Sequence, residues 1–245
     1  MNALAPDVKF NFFPQLNKLE DKSWMHSNSD FGTAQFQRFF DDGTLQSKFL
    51  KRLGEEQFLP IKEVLECFEY FARIRKRVRA SEVCDLCCGH GLLGILFAMF
   101  EKSVERVYLV DKTEPPSRQK LISITKEVAP WTAEKLHNKA VKISTESEWL
   151  NKGMAVVSAH ACGKLTDLCI DIALKAEGNL AILPCCYPKK ACQAPQALQL
   201  NLGFETAFDV DRTYRLESNG YQVRWDSIPA AISPMNRIIT GRKMV

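Results

Sequence analysis

The chain has 245 residues, 46% hydrophobic and 25% charged, a globular balance with length enough to bury a sizeable core. A net charge of +4 and a pI near 8.5 permit an acidic partner without demanding one. No apolar run approaches the roughly 18 residues of a membrane span, Met1–Lys9 holds no signal-peptide core, and nine cysteines with two adjacent pairs do not suit a secreted disulfide framework, so a cytoplasmic setting without a membrane partner is expected.

Residues 1–59 show no clear period, yet nine of the fifteen Phe residues fall there, among them Phe12, Phe13, Phe36, Phe39 and Phe40. A disordered tail would be poor in aromatics, so 1–59 is expected to pack as a cap on a domain spanning 60–245. Pro60 suits the first position of a helix, and Ile61, Val64, Leu65, Phe68, Phe71 and Ala72 share one of its faces. That helix ends in Arg73, Arg75, Lys76, Arg77 and Arg79. The preferred reading of this run is a solvated last turn that complements the helix dipole; the other is a phosphate-contacting patch.

Strands and helices then alternate. Strands are expected at about 82–86, 106–111, 140–144, 155–158 and 180–183, with helices at about 91–101, 117–129, 165–175 and 195–202. Two more strands are expected at 221–225 and 237–240. The alternation gives a doubly wound, mostly parallel α/β sheet of seven strands with an antiparallel edge.

The first strand runs into Asp85-Leu86-Cys87-Cys88-Gly89-His90-Gly91, followed by the apolar run Leu92 to Phe100. Strand, glycine turn and helix in that order bring the backbone close to a ligand and aim unpaired N–H groups at it. About 20 residues on, the second strand ends in Asp111, an acid placed to bond a ribose diol. The G-x-G-x-x-G dinucleotide fingerprint is absent. Acid-x-G-x-G-x-G resembles instead the first motif of the class I S-adenosylmethionine (SAM) methyltransferases, with Cys87 in place of the first glycine. The resemblance implies a Rossmann-like fold with SAM as cofactor. Asp85, Cys87, Gly89 and Gly91 would then face its methionine end and Asp111 its ribose.

Two further stretches lie at strand ends, where an open α/β sheet binds its ligands. They are Ser158-Ala159-His160-Ala161-Cys162-Gly163-Lys164-Leu165-Thr166-Asp167 and Leu183-Pro184-Cys185-Cys186-Tyr187. The pair resembles a branch of the same family that includes the methyltransferase domain of a protein with a glutathione-transferase C-terminal region, and the tRNA acceptor-stem 2′-O-methyltransferases. It covers about residues 80–190 and points weakly to RNA as acceptor. The strand order it implies sets the fourth strand between the first and fifth, so His160, Cys162, Cys185 and Cys186, joined by Cys88, would converge beside the methyl donor, with Tyr187 as a further catalytic candidate.

Three readings of that cluster stay open. His160 has a pKa suited to a general base toward a hydroxyl. His160 with the three cysteines would make a mixed N/S set for zinc, but H-x-C and C-C lack the usual C-x₂-C spacing and no stoichiometric metal is expected. The cysteines can also be small apolar fillers, the reading taken for Cys84 and Cys169. In the tail, Arg212, Tyr214, Arg215, Tyr221, Arg224 and Trp225 read as an ordinary amphipathic edge, with base stacking as the second reading. The expected activity is SAM-dependent methyl transfer, with RNA as the first acceptor. A protein or small-molecule acceptor, or a non-catalytic SAM- or RNA-binding module, is the alternative.

Overall fold

The computed structural model describes residues 8–189 and 192–244. Seven strands form one sheet: β1 (Glu82–Leu86), β2 (Arg106–Asp111), β3 (Leu136–Ala140), β4 (Ala155–Ser158), β5 (Leu180–Ile182), β6 (Tyr221–Ser227) and β7 (Arg237–Lys243). Their order is β3-β2-β1-β4-β5-β7-β6. The first five run parallel, while β7 is antiparallel to both β5 and β6. The doubly wound sheet with an antiparallel edge is therefore present, and β4 lies between β1 and β5.

Eight α-helices accompany it among the described residues: α1 (Thr33–Phe39), α2 (Leu45–Glu56), α3 (Ile61–Ile74), α4 (Leu92–Phe100), α5 (Pro116–Val128), α6 (Lys164–Ala176), α7 (Gln196–Leu202) and α8 (Phe204–Glu217). Alternation along β1 divides the core, as a strand sends successive side chains to opposite faces. Val83 packs with α3, α4 and the N-terminal segment, whereas Cys84 and Leu86 pack with α6 and Leu216 of α8. Among the described residues no helix is long and apolar enough to cross a membrane.

Helix α3 buries more than the one face read from its period. Phe68 meets the rings of Phe12 and Phe13 at 4.8 and 5.3 Å, while the Tyr70 hydroxyl on another face donates to the Ser158 carbonyl of β4. Between them Glu69, wholly buried, accepts the backbone N–H groups of Asn11, Phe12 and Phe13 and pairs with Arg73. Arg73 also donates to the carbonyls of Lys9 and Ser227. The basic run is thus no uniform solvated turn: Arg73 is a buried tie, Arg75 pairs with Glu101, and Arg77 reaches Thr240 of β7.

Three other expectations change. Strand β3 lies four residues earlier than its apolar signal, because it is a polar edge strand set by pairing of Leu136–Ala140 with Val107–Asp111. Val141 is exposed beyond it, and Ile143 buries itself from the irregular segment that follows. Helices α1 and α2 lie in the segment without a clear period. Helix α8 escaped notice because its inward face carries Asp209 and Arg212 beside Ala207, Phe208 and Leu216, which breaks the apolar spacing.

Candidate functional site

The β1–α4 loop turns through three left-handed residues: Cys87 at φ 55°, Gly89 at 53° and Gly91 at 81°. Cys87 holds a conformation that costs a residue with a Cβ about 1–2 kcal/mol, so the position read as a replaced glycine keeps a glycine's backbone. A Cβ built on Gly89 would meet nothing within 4 Å, so the loop opens on free space there. One on Gly94 would come within 2.5 Å of Leu109 Cδ2, so that glycine lets α4 lie tight against the sheet.

Gly89 is clamped from both sides. Its N–H donates to Asp111 Oδ2 at 3.0 Å, and its carbonyl accepts Arg118 Nε and Nη2 at 2.8 and 2.7 Å. Arg118 is fully buried. Asp111 ends β2 half-buried, with Thr113 N–H near its other oxygen, and a carboxylate has lone pairs beyond these two. Asp85 lies under the loop, 1% exposed, and accepts the Gly94 N–H at 2.9 Å. Burial pushes its carboxyl up to about 7. The helix end is less open to an anion than the sequence implies, since Asp85 takes the Gly94 N–H and His90 Nδ1 takes that of Leu92.

That last bond fixes the His90 tautomer. Nδ1 accepts, so Nε2 carries the proton and donates to Glu63 Oε2 at 2.7 Å. The bond to His90 holds the Glu63 carboxyl below its ordinary range. His160, on the loop after β4, lies in the field of the same Glu63. Its Nε2 is buried and has no hydrogen-bond partner. Burial pulls its pKa below the ordinary histidine value against the opposing pull of Glu63. Glu66, one helical turn after Glu63, is buried with one oxygen unpartnered, and burial pushes it up to about 7.

The thiols gather apart from His160. Cys162 Sγ is 3.1 Å from Cys185 Sγ, which is 3.8 Å from Cys186 Sγ, and all three sulfurs lie within 4.8 Å of one another. Burial and the neighbouring thiols raise the Cys185 pKa. Cys87 is held below its ordinary value by a hydrogen bond with Cys169, and Cys88 is buried away from the group. Tyr187 is committed elsewhere: its hydroxyl donates to Asp209 Oδ2 at 2.7 Å, within a buried network that includes Arg212 and Arg237. The convergence read from strand ends therefore resolves into three separate groups.

Much of the tail is internal. Arg212 is 1% exposed and pairs with Asp167 and Asp209, and Tyr221 is buried with its hydroxyl on the Ala173 carbonyl. Tyr221 cannot stack on a base there. Trp225 donates to Thr213 and lies under Arg237. Sequence reasoning missed Glu63, Glu66 and Arg118. Glu63 and Glu66 sit on one face of α3 at the i, i+3 spacing; Arg118 gave no signal, as its partners are carbonyls of the loop.

The site fits SAM on two observations: the open space over Gly89 and an Asp111 carboxylate at the end of β2 with acceptor capacity to spare. A family model described as "Methyltransferase domain" matches residues 59–193. A glutathione S-transferase C-terminal domain-containing protein of Xenopus laevis is 25% identical over 202 residues, covering 65% of this chain and 30% of that protein. The chain thus spans under a third of that relative's length. Among solved structures, the methyltransferase domain of bacterial CtHen1-CN is similar over 70% of this chain and 94% of its own, at 15% identity and a TM-score of 0.45. Magnesium protoporphyrin IX methyltransferase from Synechocystis, with bound SAH, is similar over 87% and 96%, at 15% identity and a TM-score of 0.42.

Proposed function

The chain belongs to the methyltransferase domain family, and from that premise we propose that it transfers a methyl group from SAM to RNA, with His160 as the base that takes the acceptor's proton. The observation that carries this reading is the His160 imidazole, without a partner at Nε2, on the loop after β4. SAM supplies an electrophilic methyl group, so a hydroxyl attacking it in line must lose a proton. Asp111 would hold the ribose diol, and the backbone at Gly89 would let the donor lie close. Glu63, ionised beside His160, stabilises the imidazolium formed when the proton arrives. Exposed Arg224 and Arg242, grouped around Arg77 on the β6–β7 hairpin, fit a phosphate backbone. Residues 60–245 would form the catalytic domain, 1–59 its cap, and the cytoplasm its setting.

The test is tritium transfer from SAM to total cellular RNA by wild type and His160→Ala. The variant is expected to keep its SAM affinity and to transfer methyl about 10²–10⁴ times more slowly. Label that survives RNase digestion and stays in protein or metabolites rejects RNA; an equally fast variant rejects the base. One observation favours a cationic amine on a protein or small molecule instead: the Glu63 carboxyl acts on His160, and carboxylates repel phosphate.

A further inference from the structure

Neither the donor site nor His160 uses the three thiols after β4 and β5. We propose that Cys162, Cys185 and Cys186 bind one zinc ion through three thiolates and leave a fourth position open. Zinc–thiolate bonds of about 2.3 Å in a tetrahedral site set the sulfurs about 3.8 Å apart. The Cys185–Cys186 separation is 3.8 Å, that of Cys162 and Cys185 is 3.1 Å, and no pair exceeds 4.8 Å. Small side-chain rotations bring all three to ligand spacing. An all-thiolate set selects a soft or borderline cation over magnesium or calcium.

The backbone presents the ligands together. Ser158 of β4 pairs with Ile182 of β5, and Leu183 N–H continues the ladder to the Ser158 carbonyl. Cys162 and Cys185 leave adjacent parallel strands at nearly the same level. Gly163, at φ 62°, lies against the Pro188 ring, and Thr166 bonds the Ala161 carbonyl, so both loops are held from behind. Cys162 and Cys186 are exposed, which leaves the fourth position accessible to water or to a ligand. His160 belongs to the Glu63 side, so the mixed His/Cys set suggested by the sequence is not the one assembled. The proposal departs from the expectation read from the sequence that the chain holds no stoichiometric metal, and it is independent of the acceptor's identity.

The experiment uses the full chain, purified without chelator under reducing conditions. Elemental analysis is expected to find one zinc per chain, and cobalt substitution to give thiolate-to-metal charge-transfer absorption. Cys185→Ser is expected to lose both signals. Cys192→Ser and His160→Ala are expected to keep both. SAM binding by calorimetry shows that each variant is folded. A chain loaded with zinc salts that remains metal-free overturns the proposal. So does zinc retained in folded Cys185→Ser, or a Cys162–Cys185 disulfide found by mass spectrometry in the reduced, zinc-loaded preparation.

Discussion

Asp111 is placed to do two things at once, and substitution can separate them. Its Oδ2 anchors Gly89 N–H, and under the proposed function its remaining lone pairs would hold the ribose diol. Asp111→Ala removes both functions. Hydrogen bonds to a charged group contribute about 1.5–3 kcal/mol, so losing the ribose contact should raise the SAM Kd by about 10- to 150-fold. The bare Gly89 N–H should cost about 1–3 kcal/mol of stability, reduced where water reaches it. Asp111→Asn keeps a carbonyl oxygen for Gly89 but puts an N–H₂ group and no charge toward the diol. It should recover most of the stability and little of the affinity. Calorimetric titration with SAM and urea denaturation read the two effects on the same preparations. If affinity follows stability through both variants, Asp111 is a loop staple and not a ribose ligand. If SAM binds Asp111→Ala as it binds wild type, the donor site has been drawn in the wrong place.

Two further substitutions test the scaffold. Glu69→Ala leaves Arg73 buried without its carboxylate and three backbone N–H groups without an acceptor; it should cost about 3–5 kcal/mol in urea denaturation, and a loss below about 1 kcal/mol would show that water replaces the hub. Glu66, raised to about 7 by burial, holds its proton in the folded state where the unfolded chain has released it, so its contribution to stability falls as pH rises from about 4.5 to about 7 and is level above. Glu66→Gln should therefore flatten part of that slope and be more stable than wild type at pH 8, on the order of 3 kcal/mol. Asp85 titrates in a similar window and keeps the remainder. Identical stability–pH curves for variant and wild type would place the Glu66 carboxyl in contact with water.

The donor half of the site was legible because its signals are local. A buried parallel strand reads as an unbroken apolar run, a left-handed turn asks for glycine, and an acid ends the next strand; all lie within 30 residues of one another. Cys87 shows that the backbone demand survives where the residue preference does not. The acceptor half was not legible in the same way. Chain order assigned His160 and Cys162 to one strand end, but past Ser158 the chain leaves the pleat, and alternation no longer says where a side chain points. Glu63, which acts on His160, comes from a helix that precedes the sheet. The basic run and the tail misled for a related reason. Arg73 and Arg212 look like surface charges until their partners appear: Lys9 and Ser227 for one, Asp167 for the other, each more than 40 residues away.

Helix α3 is where these distant partners meet, and its layout ties the N-terminal segment to the chemistry. Its first turn supplies Glu63 to His90, its middle carries Phe68 and Glu69 under the rings and amides of residues 11–13, its last turn reaches Ser227 through Arg73, and Arg77 just beyond it reaches Thr240 on the β6–β7 hairpin. A helix anchored at three levels moves as one body, because packed interiors transmit displacement rather than absorb it. The donor loop is held mostly by Asp85, Asp111 and Arg118, which all belong to the sheet and its following helices, and His90 ties it to Glu63 of α3. Under the proposed function the donor loop rests chiefly on the βα alternation and meets α3 through the His90–Glu63 bond, while the groups beside His160 depend more on α3 and on what packs over it. Changes in the cap should then reach the acceptor side of the site before they reach the donor side.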